Sequence, residues 1–156
     1  MSVSLKSLAG CAAVLVTAAT LGAATAAPAQ ATIQDCATYG FVNISYNQAG
    51  GQQSSVGLGS GRSVGLLTTL VSSTPGRHAF AKITGSTRPG DQVWLDWSTT
   101  GGNGHIQCGP FSVQSTGSPN TSAAKILNPG VSGWVFRACG KIVGGSTKCT
   151  GWNDLW

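Results

Sequence analysis

Few side chains in this 156-residue chain could carry out acid–base catalysis. The chain has no glutamate, and its imidazole groups are those of His78 and His105. Its carboxylate side chains are those of Asp35, Asp91, Asp96 and Asp154. Most glycoside hydrolases need two carboxylates on either side of the scissile bond, which this small set supplies poorly. A Ser-His-Asp hydrolase could draw on the abundant serines, but the alternating pattern of the chain does not provide the strand-to-helix turn on which such a serine sits. We therefore predict that the protein is not an enzyme and that both histidines are structural.

Residues 1–31 have the pattern of a secretory signal peptide. Lys6 precedes an apolar run over residues 8–27, and Ala29-Gln30-Ala31 provides a small-x-small cleavage site. Leu8-Ala9-Gly10-Cys11 also fits a short lipobox, but the apolar run follows Cys11 instead of preceding it, which favours the ordinary signal peptide. We therefore expect an extracellular protein whose mature part is one β domain over residues 32–156.

Cysteine usage supports export. Four cysteines remain after the signal segment, namely Cys36, Cys108, Cys139 and Cys149, and an even count in an exported chain indicates disulfides. Four cysteines allow three pairings. We favour Cys139 with Cys149 as a local clamp, and Cys36 with Cys108 as a tie between the start and the middle of the domain. Oxidised cysteines leave no thiolate nucleophile, and the absence of a Cys-x-x-Cys pair argues against structural zinc. We expect no metal and no cofactor.

The composition and the hydrophobic pattern together favour β structure. The chain has 23 glycines and no glutamate, so it lacks strong helix formers. Turn residues cut it into short segments with a period of two, of which Gln92 to Ser98 is the clearest. Residues 115–130 read as a loop, with one turn of helix near residues 123–127. The pattern predicts an all-β fold: a single antiparallel β-sandwich or small barrel of about seven or eight short strands.

The charge pattern narrows the choice of partners. Basic residues are scattered from Arg62 to Lys148 without a run or an aromatic-basic stripe, which argues against nucleic acid. No segment beyond the signal is long and apolar enough to span a bilayer. The positive balance favours acidic partners, such as an anionic cell wall or an acidic face of a protein.

The tryptophans give the strongest indication of a binding surface, since all five follow residue 93. Alternation in the segment 92–98 places Val93, Leu95 and Trp97 towards the core, so that Trp94 emerges beside Asp96 on the other face. An exposed Trp beside an Asp could hold a sugar ring or a side chain of a partner by stacking and a directed hydrogen bond.

The segment 151–156 also carries apolar surface that must be covered, either by its own sheet or by a partner. The predicted partner-binding residues are accordingly Trp94, Asp96, Trp152 and Trp156.

Three segments resemble small secreted four-cysteine β proteins of Streptomyces-like actinobacteria: Val93 to Ser98, Ile106 to Phe111, and Phe136 to Gly140 with Cys149. One group among these is the adaptor subunit of umbrella toxin particles. That resemblance implies a protein without a catalytic role that joins a toxin-bearing stalk to lectin-like subunits. Tendamistat-type amylase inhibitors are also exported four-cysteine β proteins, but their Trp-Arg-Tyr recognition turn is absent here.

The function predicted from the sequence is therefore a secreted, non-enzymatic protein-binding module. Its partner would be another secreted protein, such as the subunits of a toxin particle. The alternatives are a secreted inhibitor of a hydrolase and an antimicrobial protein that binds cell-wall carbohydrate. A small hydrolase that uses His78 or His105 is a further alternative.

Overall fold

The computed structural model describes residues 36–155, which form ten β-strands in two antiparallel sheets. The strands are β1 (Phe41–Val42), β2 (Gly51–Gly59), β3 (Arg62–Val71), β4 (Thr74–Gly85), β5 (Gln92–Ser98), β6 (Ile106–Ser112), β7 (Asn120–Thr121), β8 (Ala124–Ile126), β9 (Val135–Lys141) and β10 (Thr147–Cys149). The first sheet has the order β1-β8-β4-β3-β2, with β7 also paired to β4, and the second has the order β10-β9-β5-β6. The all-β, two-sheet fold is confirmed, with more strands than predicted because four of them are only two or three residues long. The predicted signal peptide, 1–31, lies outside the described residues.

The core lies between the two sheets. Its fully buried members come from alternate positions of the long strands and include Val64, Leu66 and Ile83 from the first sheet, and Val93, Leu95 and Phe136 from the second. The predicted strand 92–98 has the same bounds in the structure, and its Val93 and Leu95 face the core as expected. Alternation along β5 therefore sends its even-numbered residues to the outer face of the second sheet.

Residues 115–130 differ from the prediction. The segment contains β7 and β8, and the helical turn predicted near 123–127 is wrong. In β8, Ala124 pairs with Val42 of β1, and Lys125 pairs with both Phe41 of β1 and Ala79 of β4. These pairings are with residues far away along the chain, so no local pattern indicates them.

Segment 43–50 passes over the outer face of the first sheet. Lys82 Nζ donates to Asn47 Oδ1 at 3.2 Å and to the Gln48 carbonyl at 2.9 Å, which holds the segment against β4. Phe80 is fully buried although it does not belong to the core between the sheets. A Cβ atom at Gly50 would come within 2.9 Å of the Phe80 ring, so only glycine allows this close approach.

Both predicted disulfides are confirmed. Cys36 pairs with Cys108, which ties the chain before β1 to β6 of the second sheet. Cys139 pairs with Cys149, which joins β9 to β10. In the part of the chain that the structure describes, no helix has the length and apolar character needed to cross a membrane.

Candidate functional site

The outer face of the second sheet brings together most of the residues predicted to bind a partner. Trp94 and Asp96 of β5 lie opposite Cys139 and Arg137 of β9 in the strand register. The segment after β10 then runs along the other side of β9, where the backbone groups of Phe136 and Asn153 exchange two hydrogen bonds of 2.8 Å. This pairing brings the neighbouring Trp152 side chain against Arg137.

Asp96 forms the buried base of the site. Its side chain is 1% exposed, and its Oδ2 atom accepts a 2.8 Å hydrogen bond from Arg137 Nε and lies 3.7 Å from His105 Nε2. Its Oδ1 atom is buried without a hydrogen-bond partner among the described residues. Burial raises the pKa of Asp96 above its ordinary value, against the opposing effects of the Arg137 hydrogen bond, the Arg137 charge and His105. The carboxylate therefore depends on Arg137 for its charge compensation.

Arg137 lies between this carboxylate and an aromatic ring. Its guanidinium carbon is 4.5 Å from the centroid of the Trp152 ring, a distance at which a cation–π attraction operates. The His105 ring packs edge-on against Trp152 with centroids 5.6 Å apart, and Arg137 Nη2 donates to His105 Nε2 at 3.5 Å. The Arg137 side chain is 27% exposed and that of His105 is 35% exposed. We call Asp96, His105, Arg137 and Trp152 the Trp152 cluster. The buried Asp96 carboxylate holds Arg137 in place, while Arg137 and His105 remain partly exposed to solvent.

Trp94 and Asp96 lie on the predicted outer face, but both are buried, so they do not form the open Trp–Asp pair considered as a binding surface. Trp94 is 7% exposed. Gly109 of β6 lies so close that a Cβ there would be 2.7 Å from the Trp94 Cβ, and Cys139, the register partner of Trp94, carries its disulfide on the same face. Asp96 is covered because Arg137 folds over it. Alternation predicts the face of a sheet on which a side chain lies, but not what crosses that face.

Two predicted residues meet in the cluster, and two do not. Asp96 and Trp152 are joined through Arg137. Trp94 lies further along the same face and is buried, and Trp156 lies outside the described residues. Sequence reasoning missed Arg137 and treated His105 as structural. The signal that could have found Arg137 is its place two residues before Cys139, which puts both on one face of β9.

Asp96 belongs to a group of potential metal ligands that is unsuited to bind a metal. Ligand atoms of Asp96, Cys139 and Cys149 lie within 4.8 Å of one another, but both sulfur atoms are in the disulfide and have no thiolate to offer a metal. For the same reason, the 3.5 Å approach of Cys139 Sγ to Asp96 is a contact and not a hydrogen bond.

Residues 61–65 spell Gly-x-Ser-x-Gly, the sequence pattern of a nucleophile elbow. They lie in the hairpin turn and first residues of β3, and no helix follows them. The Ser63 hydroxyl is 3.3 Å from the Thr84 hydroxyl on the neighbouring strand, so it is part of a ladder and not of a nucleophile elbow.

The fold and this face define a class: a disulfide-linked protein of two antiparallel β-sheets that presents a cation held against an aromatic ring. Comparison of the chain with models of protein families, with curated proteins and with solved structures found no match.

Proposed function

We propose that this protein is a secreted, non-enzymatic protein-binding module that holds its partner on the Trp152 cluster. The observation that carries the proposal is the position of Arg137, fixed between the buried Asp96 carboxylate and the Trp152 ring. Trp and Arg are the residues that most often dominate the energy of protein interfaces. An Arg that is ordered before binding also loses less conformational entropy when the partner arrives.

The unused donors of Arg137 indicate what it would bind. Asp96 occupies Nε and His105 lies against Nη2, while Nη1 contacts no acceptor among the described residues. Guanidinium N–H groups pair best with a carboxylate, which a partner's Asp or Glu would supply.

The surface charge favours the same partner. Asp91 and Asp96 are buried, so Asp154 is the exposed aspartate among the described residues. Exposed bases are more numerous: Arg77, Arg88, Lys141 and Lys148. The positive surface would therefore attract an acidic face of another protein, and it would repel other copies of this molecule.

The sharper form of the proposal is an adaptor in an extracellular antibacterial toxin complex. It is supported by the resemblance of three segments to small secreted four-cysteine β proteins, among which such adaptors are one group, and by the absence of a catalytic arrangement around His78 or His105 in the described residues. His78 is buried, and His105 contacts a carboxylate, an arginine and an aromatic ring.

The test is affinity capture followed by measurement with pure components. The mature protein, Arg137→Ala, Trp152→Ala and the control Lys141→Ala would be immobilised and exposed to the culture supernatant of the producing organism. Lys141 is an exposed base on the same strand as Arg137 but outside the cluster. We expect a stoichiometric secreted protein to bind wild type and Lys141→Ala alike. Calorimetry with the purified partner should show at least about tenfold weaker binding for both cluster variants.

Other results would overturn the proposal. Equal binding by all four proteins would place the interface elsewhere. A captured hydrolase whose activity falls in the presence of the protein would make it an inhibitor, and retention on insoluble cell-wall polysaccharide alone would make it a carbohydrate binder. Hydrolytic activity of the protein itself that disappears with His105→Ala would show an enzyme.

A further inference from the structure

A second candidate site lies away from the Trp152 cluster, around the exposed ring of Tyr46. Two neighbouring depressions of about 290 Å³ each share Tyr46, Gln114 and Asn120 as lining residues. Asn43 and Phe111 also line one of them, and Pro119 lines the other. We call these six residues the Tyr46 groove. Each depression is near the lower end of the size range of small-molecule sites, about 300 to 1,000 Å³, so the pair suits a ligand of at least two joined units.

The groove combines apolar surface with polar side chains and carries no ionised side chain. Its hydrogen-bonding side chains are the amides of Asn43, Gln114 and Asn120 together with several serine and threonine hydroxyls, and none of the residues that line either depression is Lys, Arg, His, Asp or Glu. Tyr46 is 62% exposed, so one face of its ring is free to stack. A ring face beside several amide donors and acceptors matches the apolar face and the hydroxyl edge of a neutral sugar. An anionic ligand would find no cation here to compensate its charge.

The amides at the centre of the groove are already fixed in place. Asn120 Nδ2 donates to the Ser112 carbonyl at 2.8 Å, and Asn120 Oδ1 accepts from the Thr121 amide at 3.0 Å. Gln114 Nε2 donates to the same Ser112 carbonyl at 2.8 Å. Each NH₂ group keeps a second N–H for a ligand. The Thr121 hydroxyl also donates to the carbonyl of Ser45, the residue before Tyr46, which anchors the ring's own segment.

The same bonds disfavour an extended peptide as the ligand. A peptide that adds to a sheet edge needs a row of free backbone N–H and C=O groups. Here the Ser112 carbonyl at the end of β6 is occupied by two side chains, and Pro110 and Pro119 have no N–H to offer. The donors that remain belong to side chains, which suit hydroxyl groups.

We propose that the Tyr46 groove binds a neutral oligosaccharide of two or more sugar rings. The site is independent of the Trp152 cluster and of the protein partner assigned to it. An open, shallow groove of this kind predicts weak binding, with the ring of Tyr46 supplying the stacking surface and the amides of Gln114 and Asn120 orienting the hydroxyls.

The test uses the mature protein and three neutral oligosaccharides: chitohexaose, cellohexaose and maltohexaose. Each would be titrated into isotopically labelled protein, with amide chemical shifts recorded by NMR. Tyr46→Ala should weaken binding of the recognised sugar at least about tenfold. Tyr39→Ala is the matched control, because Tyr39 is the other tyrosine of the chain, is 49% exposed and lines neither depression. It should bind as wild type does, and so should Arg137→Ala.

Gln114→Ala keeps the test decisive if Tyr46→Ala fails to fold. Gln114 is exposed, so its truncation leaves the packing intact and should weaken binding several-fold. The proposal is overturned if none of the three sugars shifts the amides of the groove at millimolar concentration. It is overturned equally if Tyr46→Ala and Gln114→Ala bind as wild type does, or if peptides bind the groove and sugars do not.

Discussion

The ammonium nitrogen of Lys125 lies 4.3 Å from the centroid of the Trp97 ring. The rings of Phe41 and Trp134 are 5.7 and 5.5 Å from the same nitrogen, which also donates a hydrogen bond to the Tyr39 carbonyl. Lys125 is only 6% exposed, and no carboxylate pairs with it among the described residues. The indole N–H groups of Trp97 and Trp134 are buried without acceptors. Packing and the enclosed cation, not hydrogen bonds of the indoles, therefore hold these rings together.

The burial of Lys125 among these rings predicts that the stability of the protein depends on pH in the alkaline range. Burial lowers the pKa of Lys125 below its ordinary value of 10.5, so the folded protein releases this proton at a lower pH than the unfolded chain does. Between the two pKa values the unfolded chain binds more protons, and the free energy of unfolding should rise with pH by up to about 1.4 kcal/mol per pH unit. Lys125→Met lacks this contribution, while Lys82, whose pKa burial also lowers, contributes to the slope of both proteins. Urea unfolding of both proteins from pH 7 to pH 10.5 measures it, and parallel curves for the two would contradict the prediction.

Trp94→Ala should destabilise the protein strongly. The Trp94 side chain is buried against Gly109, and its truncation leaves a cavity that the sheet cannot close. Loss of a buried Trp typically costs about 3 to 5 kcal/mol. Trp152→Ala is the comparison. Trp152 is only partly buried, so its truncation should lower the free energy of unfolding much less. Urea unfolding followed by circular dichroism tests both, and a Trp94→Ala protein within about 1 kcal/mol of wild type would show that its site relaxes freely.

Replacement of Asp91 by alanine should lower the free energy of unfolding far more than replacement of a surface aspartate. Its side chain is fully buried, with Oδ2 2.7 Å from Arg62 Nε and accepting from the Arg88 amide, while Oδ1 accepts from the Val143 amide. Breaking a buried ion pair by removing one partner costs about 3 to 5 kcal/mol. We expect that loss for Asp91→Ala, and a change below about 0.5 kcal/mol for the exposed Asp154→Ala.

The double variant Arg62→Met with Asp91→Ala completes that experiment. If the pair acts as a unit, the double variant should be less destabilised than the sum of the two single variants. Additive losses in urea unfolding would mean that Asp91 acts through its two backbone donors and not through Arg62.

His78 should make the fold sensitive to acid. Its Nδ1 atom is 3.0 Å from the Gly76 carbonyl and must therefore carry the proton, so Nε2 accepts from the Thr74 hydroxyl at 3.2 Å. Burial lowers the pKa of His78 below 6.5; the Gly76 carbonyl opposes this effect, and the charge of Lys125 adds to it. Below pH 6.5 the unfolded chain then binds the additional proton, and stability falls as the pH falls.

His78→Gln isolates this contribution. The variant has no imidazole to protonate, so its free energy of unfolding should fall less than that of wild type between pH 6.5 and the lowered pKa. Chemical unfolding at a series of pH values gives the difference directly. A difference that stays constant with pH would show that the folded protein admits the charged imidazole.

The parts of the fold that could be predicted are those with local signals. The alternation of 92–98 predicts which residues of β5 face the core, and the cysteine count in an exported chain predicts two disulfides. The burial of Trp94 depends on a glycine in a neighbouring strand, and the pairing of β8 depends on residues more than 40 positions away along the chain. The Trp152 cluster likewise combines β5, β9, the loop before β6 and the segment after β10. No window of sequence contains all of them.

The Cys139–Cys149 bridge encloses the turn in which Val143 is 64% exposed, the kind of site that proteases cut first. A cut in this turn would leave both new ends covalently joined through sulfur, with Trp152 still paired alongside β9 and Arg137 still above Asp96. The Trp152 cluster would thus survive a nick that would otherwise release the segment after β10.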